Sequence, residues 1–106
     1  MKGRFIMKCK INRNAAKVLT KLLAEPENEG KMVRVEVSQK HGNHAHYALG
    51  LDNPTEHDEI VKTDKNIDVL LDSREEFLDG VFIQYFYVPN EGFLITNASK
   101  GNHGDH

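Results

Sequence analysis

The hydrophobic period of this chain changes once, at Pro26, and that change limits the kind of domain it can build. Before Pro26, Ala15, Val18, Leu19, Leu22 and Leu23 recur at three- and four-residue spacing, with Arg13, Lys17 and Lys21 on the other side. This is the pattern of a helix with one apolar stripe. Asn12 supplies an N-cap and Pro26 a stop, so a helix is predicted over residues 12–25. After Pro26 the alternation shortens. Val33, Val35 and Val37 interleave with Arg34 and Glu36, and Tyr47, Leu49 and Leu51 repeat the pattern, which is the two-residue period of half-buried strands.

Further strands are predicted at residues 5–11, 60–62, 67–71, 81–88 and 93–96 from their β-branched and aromatic content. The segments between them are rich in turn formers: Asn53-Pro54-Thr55 with the acidic run to Glu59, Asp64-Lys65-Asn66, and Pro89-Asn90-Glu91-Gly92. Ser73 followed by Glu76 reads as a capping box, predicting a short helix through Phe77 and Leu78 that Gly80 stops. The expected fold class is α+β, with predominantly antiparallel, twisted sheet, one main N-terminal helix and a short second one. Phe82, Tyr85, Phe86 and Tyr87 are expected in the core and in subunit contact.

A chain of 106 residues, 39% hydrophobic and 28% charged, is a single domain able to bury a modest core. Residues 98–106 read as a flexible tail. Fourteen basic residues are scattered among sixteen acidic ones for a formal charge of -2, so there is no basic footprint for nucleic acid. No apolar run approaches the roughly 20 residues that span a bilayer, and the start has no signal-peptide pattern, which makes a cytoplasmic protein the expectation. The single cysteine, Cys9, excludes an internal disulfide and any multi-thiolate site within one chain. It is expected to pack as a small hydrophobe.

Five of the six histidines fall in two segments: His41, His44 and His46 in H-G-N-H-A-H, and His103 and His106 in the terminal H-G-D-H. Imidazole is the commonest transition-metal ligand at neutral pH, and a site needs several ligands converging on one point. Residues two apart on a strand share a face, so His44 and His46 are expected opposite Tyr47 and Leu49. Glycine, asparagine and aspartate are equally ordinary in turns and tails, and a solvated loop and terminus account for the same residues. His57, among Glu56, Asp58 and Glu59, reads as a solvated loop residue.

The order of a short strand, an Asn-Ala-Ala-Lys helix ending in Leu22-Leu23-Ala24-Glu25, the Val33-Arg34-Val35 strand, a loop into Tyr47, Phe77-Leu78-Asp79-Gly80, Ile83-Gln84-Tyr85 and Gly92-Phe93 resembles the A-type iron-sulfur carriers, the HesB or IscA family. The resemblance spans about residues 6–105 and implies a HesB-like domain, a homodimer, and iron-sulfur assembly proteins as partners. It departs where the chemistry belongs. The family carries one cysteine in a G-C-S-G loop after the Val-Arg-Val strand and two in a terminal C-G-C. Here the loop position falls at or beside Gly42, and the tail reads His103-Gly104-Asp105.

Clusters are held by thiolates, and even centres with histidine on one iron keep two cysteines on the other. No stable iron-sulfur cluster is therefore expected. The resemblance implies that the tail approaches the loop, which makes His41, His44, His46, His103, Asp105 and His106 candidate ligands. Such a nitrogen and carboxylate set suits a mononuclear divalent metal such as iron, zinc or nickel. The alternative is a metal-free interaction module that kept only the fold. Neither substrate pocket nor general base is legible, so no enzyme is expected.

Overall fold

The computed structural model describes residues 6–42 and 44–97. One α-helix, α1 (Arg13–Leu23), and seven strands make up the regular structure: β1 (Cys9–Ile11), β2 (Met32–His41), β3 (His44–Asp52), β4 (Asp58–Lys62), β5 (Asp68–Asp72), β6 (Val81–Phe86) and β7 (Gly92–Thr96). The helix begins where its cap requires. The Asn12 carboxamide oxygen accepts from the Ala15 N–H at 2.8 Å and from the Tyr85 N–H at 3.2 Å, fastening the first turn to β6.

The strands form a three-stranded sheet in the order β1-β6-β7 and a four-stranded sheet in the order β3-β2-β5-β4. Pairings β2–β3, β4–β5 and β6–β7 are antiparallel, whereas β1–β6 and β2–β5 are parallel. The domain is thus α+β, with sheets more mixed than the sequence suggests, because both parallel partners are separated by long stretches of chain. Helix α1 packs on β6. Ala15 and Leu19 join Ile11, Val35, Leu71 and Ile83 in a core that both sheets feed. Cys9 is also buried there, and burial with Asp64 nearby pushes its thiol up to about 12. No helix among the described residues is long and apolar enough to cross a membrane.

Several local expectations change. Asp58 and Glu59 belong to β4 rather than to a loop, and the first strand is only Cys9–Ile11. The capping box at Ser73 does not form. A 3₁₀ turn at Glu76–Leu78 is capped instead by Glu75, whose carboxylate accepts from the Phe77 N–H, while the Ser73 hydroxyl donates to the His57 carbonyl at 3.0 Å. Strand β6 stops at Phe86, leaving Phe86 and Tyr87 exposed while Ile83 is buried and Tyr85 half-buried.

The outer face of the four-stranded sheet holds a buried ion pair. Arg34 Nη1 and Nη2 donate to the two carboxylate oxygens of Asp58 at 2.6 and 2.7 Å, and Nη2 also reaches the Asn53 carbonyl at 3.0 Å. The Arg34 side chain is 10% exposed and the Asp58 side chain 1%. Asp58 also accepts from the Thr55 N–H at 2.6 Å, so the pair holds the connection between β3 and β4 down on the sheet.

Candidate metal site

Strands β2 and β3 form one long hairpin that ends at Gly42, whose φ of 62° is a left-handed conformation suited to glycine. Beyond an irregularity between Val37 and Gln39, the register sets His41 opposite His44 and Gln39 opposite His46. Directly opposed residues share a sheet face, so positions 39, 41, 44 and 46 lie together on one side of the hairpin tip. The His41 and His46 rings meet edge to face, centroids 5.6 Å apart, and His41 Nε2 lies 3.4 Å from Gln39 Oε1. Both histidines are exposed, while Tyr47 and Leu49 turn to the core, as the alternation predicts.

His41 and His46 are the predicted ligands that come together. The side chain of His44, and all of His103, Asp105 and His106, lie outside the described residues. Among the described residues no three histidine, cysteine, aspartate or glutamate side chains converge as a metal-holding group. His57 stands apart, 43% exposed and 3.4 Å from the Glu56 carboxylate.

The hairpin is braced on the segment after β5. Lys40 Nζ pairs with Glu75 at 2.7 Å and sits 5.5 Å from the centroid of the Phe77 ring. On β3, the Tyr47 hydroxyl donates to the Phe77 carbonyl at 2.8 Å. The same carbonyl accepts from Asn97 Nδ2 at 3.0 Å, which also reaches the Asp79 carbonyl at 2.7 Å. Burial raises the Tyr47 phenol above its ordinary value, and its hydrogen bond with Asn97 opposes the rise. Asn97 is 0% exposed. The chain therefore leaves β7 at a point bonded to the residue that follows His46.

Tyr47 and Phe77 stood in the sequence pattern, but nothing there marked them, Lys40, Glu75 or Asn97 as bracing residues. A backbone carbonyl has no residue-type signature, and the only signal was a lone asparagine ending an apolar strand. Also absent from the pattern was an apolar groove of about 750 Å³ between α1, β3 and β7, lined by Leu19, Leu22, Tyr47, Leu49, Phe93 and Ile95, with His46 on its border.

No protein-family model matches this chain, and no curated protein matches its sequence. Its architecture, in contrast, superposes on a crystal structure of Escherichia coli SufA, a protein involved in the biosynthesis of iron-sulfur clusters, with a TM-score of 0.70 over 92% of this chain and 87% of that one. The fold is that of SufA. At 20% identity the likeness speaks for architecture, and the order of elements expected from the A-type carrier resemblance is present in it.

Proposed function

We propose that this protein is a SufA-like relative of the iron-sulfur assembly proteins that binds a single divalent transition metal, iron, zinc or nickel, in place of a cluster. His41, His44 and His46 supply the hairpin ligands, and His103, Asp105 and His106 supply the rest. The role that fits is storing or delivering the metal to assembly partners, without catalysis. One observation carries the reading: the packed His41–His46 pair stands at the end of the hairpin beside which Asn97 anchors the start of the tail. Five residues lie between Asn97 and His103, and the six steps of chain reach up to about 20 Å. The donors are nitrogen and carboxylate oxygen, suited to a mononuclear divalent ion and poor for a cluster.

A metal-free interaction module is the second reading, favoured by the absence of a three-ligand group among the described residues. Calorimetric titration of Zn(II), Ni(II) and anaerobic Fe(II) into protein purified without a histidine tag separates the two. The metal reading expects stoichiometric binding that weakens at least tenfold both in a chain truncated after Asn102 and in a His41→Ala/His46→Ala variant. It also expects affinity to fall below about pH 6.5, because only neutral imidazole ligates. Equal affinity in all three proteins removes it.

A further inference from the structure

An exposed apolar side chain is ordinary when it stands alone and informative when several share one surface. Among the described residues the large exposed apolar side chains are Ile6, Ile60, Phe86, Tyr87, Val88 and Leu94. All but Ile60 gather on or beside the three-stranded sheet. Residues 6–11 alternate strictly: Met7, Cys9 and Ile11 are buried, so Ile6, Lys8 and Lys10 point outward. The register sets Phe82 between Lys10 and Thr96, and Gln84 beside Leu94. Since Val81 and Ile83 face the core, Phe82, Gln84 and Phe86 share the outer face with those lysines. Val88, 75% exposed, stands past the end of β6, and Tyr87 is steadied by edge-to-face packing on Tyr85, centroids 5.3 Å apart.

Charge sorts along the chain in a way that the net value of -2 conceals. Residues 1–24 hold seven basic side chains and no acidic one, whereas residues 25–106 hold seven basic and all sixteen acidic ones. No outward strand position on this sheet is a carboxylate. Lys8 and Lys10 enter no ion pair, and every paired cation among the described residues lies at Arg34 or beyond. In the middle of the face the Gln84 amide donates to the Thr96 hydroxyl at 3.3 Å, so these polar groups cost less to take out of water. At the tip the Glu91 carboxylate accepts from the Tyr85 hydroxyl at 2.5 Å.

We propose that this outer face docks on the surface of an anionic lipid bilayer. Ile6, Phe86, Val88 and Leu94 enter the boundary between headgroups and acyl chains, and Lys8 and Lys10 meet the lipid anions. Apolar anchors interleaved with unpaired lysines are the composition of an interfacial membrane surface. A partner protein would need a pocket for its own anchors, and the apolar groove takes no residue from β1 or β6. A fluid bilayer instead moulds itself to side chains that project. The acidic remainder of the chain does not forbid the approach, because exposed charges more than about 8 Å away are screened at physiological salt. The protein lies on the bilayer and does not span it. The histidine hairpin belongs to the other sheet, so the proposal stands whether or not that hairpin binds a metal.

Flotation of the untagged full chain with vesicles, in EDTA and near neutral pH, tests this. Phosphatidylcholine vesicles holding about 30% phosphatidylserine are expected to carry the protein, and pure phosphatidylcholine vesicles to bind it at least tenfold more weakly. Raising the salt from about 0.1 M to about 1 M, which shortens the Debye length from about 10 to about 3 Å, should weaken binding at least tenfold. Lys8→Glu/Lys10→Glu should do the same, since each lysine near an anionic surface strengthens binding roughly fivefold. An environment-sensitive fluorophore on Val88→Cys should shift to the blue on the anionic vesicles, whereas one on Lys62→Cys, in the four-stranded sheet, should not. Cys9 is buried with its thiol pushed up to about 12, so the label goes to the introduced cysteine. That pair decides the matter even where the glutamate variant fails to fold. Protein left behind by both vesicles, as a face made for a partner protein would be, would overturn the proposal. So would equal binding to uncharged vesicles, or a label at 88 that stays unshifted.

Discussion

Replacing Asp58 by alanine tests how the sheet tolerates the cation at its centre. Arg34 sits on β2 between Gly50 and Leu70, 9% exposed, and both terminal nitrogens of its guanidinium donate to Asp58. Asp52 is the only other carboxylate in the ion pair, 3.2 Å from Nε, but its side chain is 57% exposed and Nε makes no hydrogen bond. An exposed partner of that kind contributes about 0–1 kcal/mol and cannot substitute. Asp58→Ala therefore leaves a buried, half-satisfied guanidinium and also removes the acceptor of the Thr55 N–H. Breaking one side of a buried pair costs about 3–5 kcal/mol.

Against a global stability of roughly 0.05–0.15 kcal/mol per residue, that is a large share, and it lowers the thermal midpoint by about 15–30 °C. Removing both charges in Arg34→Met/Asp58→Leu should restore most of the loss, since a packed apolar pair replaces ions that were costly to desolvate. The pH dependence has a fixed sign. The Arg34 guanidinium holds the Asp58 carboxyl below its ordinary value. The stabilisation is thus present above the unfolded pKa of about 3.9 and drains away as pH falls through the lower folded value. Urea unfolding of the wild type and three variants at pH 7 and pH 3 measures all of this. A single-variant loss under 1 kcal/mol, or a double variant as unstable as Asp58→Ala, refutes the reasoning.

Asn97→Ala should cost about 1–3 kcal/mol in urea unfolding, because it removes the amide that bonds the part-buried Asp79 carbonyl and halves the satisfaction of the Phe77 carbonyl; a loss under 0.5 kcal/mol would show that water replaces the amide. Cys9 should alkylate at least roughly a thousandfold more slowly in native protein than in denaturant at pH 7.5, given a thiol pushed up to about 12. For the same reason anaerobic iron-sulfide reconstitution should leave no coloured cluster after gel filtration; a stoichiometric cluster that persists in Cys9→Ser would contradict the ligand chemistry set out above.

The helix was readable because everything that specifies it is local: a cap at Asn12, a stripe of period 3.6 and a stop at Pro26. Strand alternation likewise placed Tyr47 and Leu49 inward and His46 outward. The pairing of His46 with His41 was not readable, since it depends on cross-strand register and on the irregularity that sets Gln39, rather than Ser38, opposite His46. A one-residue slip of that kind leaves no mark on composition. At Ser73 a good local motif lost to tertiary contact, its hydroxyl drawn to the carbonyl of His57 in the preceding connection. The Phe77 carbonyl, on which Tyr47 and Asn97 converge, is a main-chain atom that any residue would supply.

The parallel pairing of β1 with β6 has a consequence for how the chain is made. Cys9 lies beside Val81 and the helix packs chiefly on β6, so the apolar stripe of Ala15 and Leu19 lacks its main cover until the ninth decade of residues exists. At the usual synthesis rate of about 5–20 residues per second, the finished helix waits roughly 3–12 s with that stripe open. Hairpins β2–β3 and β4–β5 can close meanwhile, as they need only their own neighbours in sequence. The nascent protein thus presents a sheet without its helix and a helix without its sheet, a natural stage for chaperone capture, and chains that stop short of Val81 are the ones to aggregate.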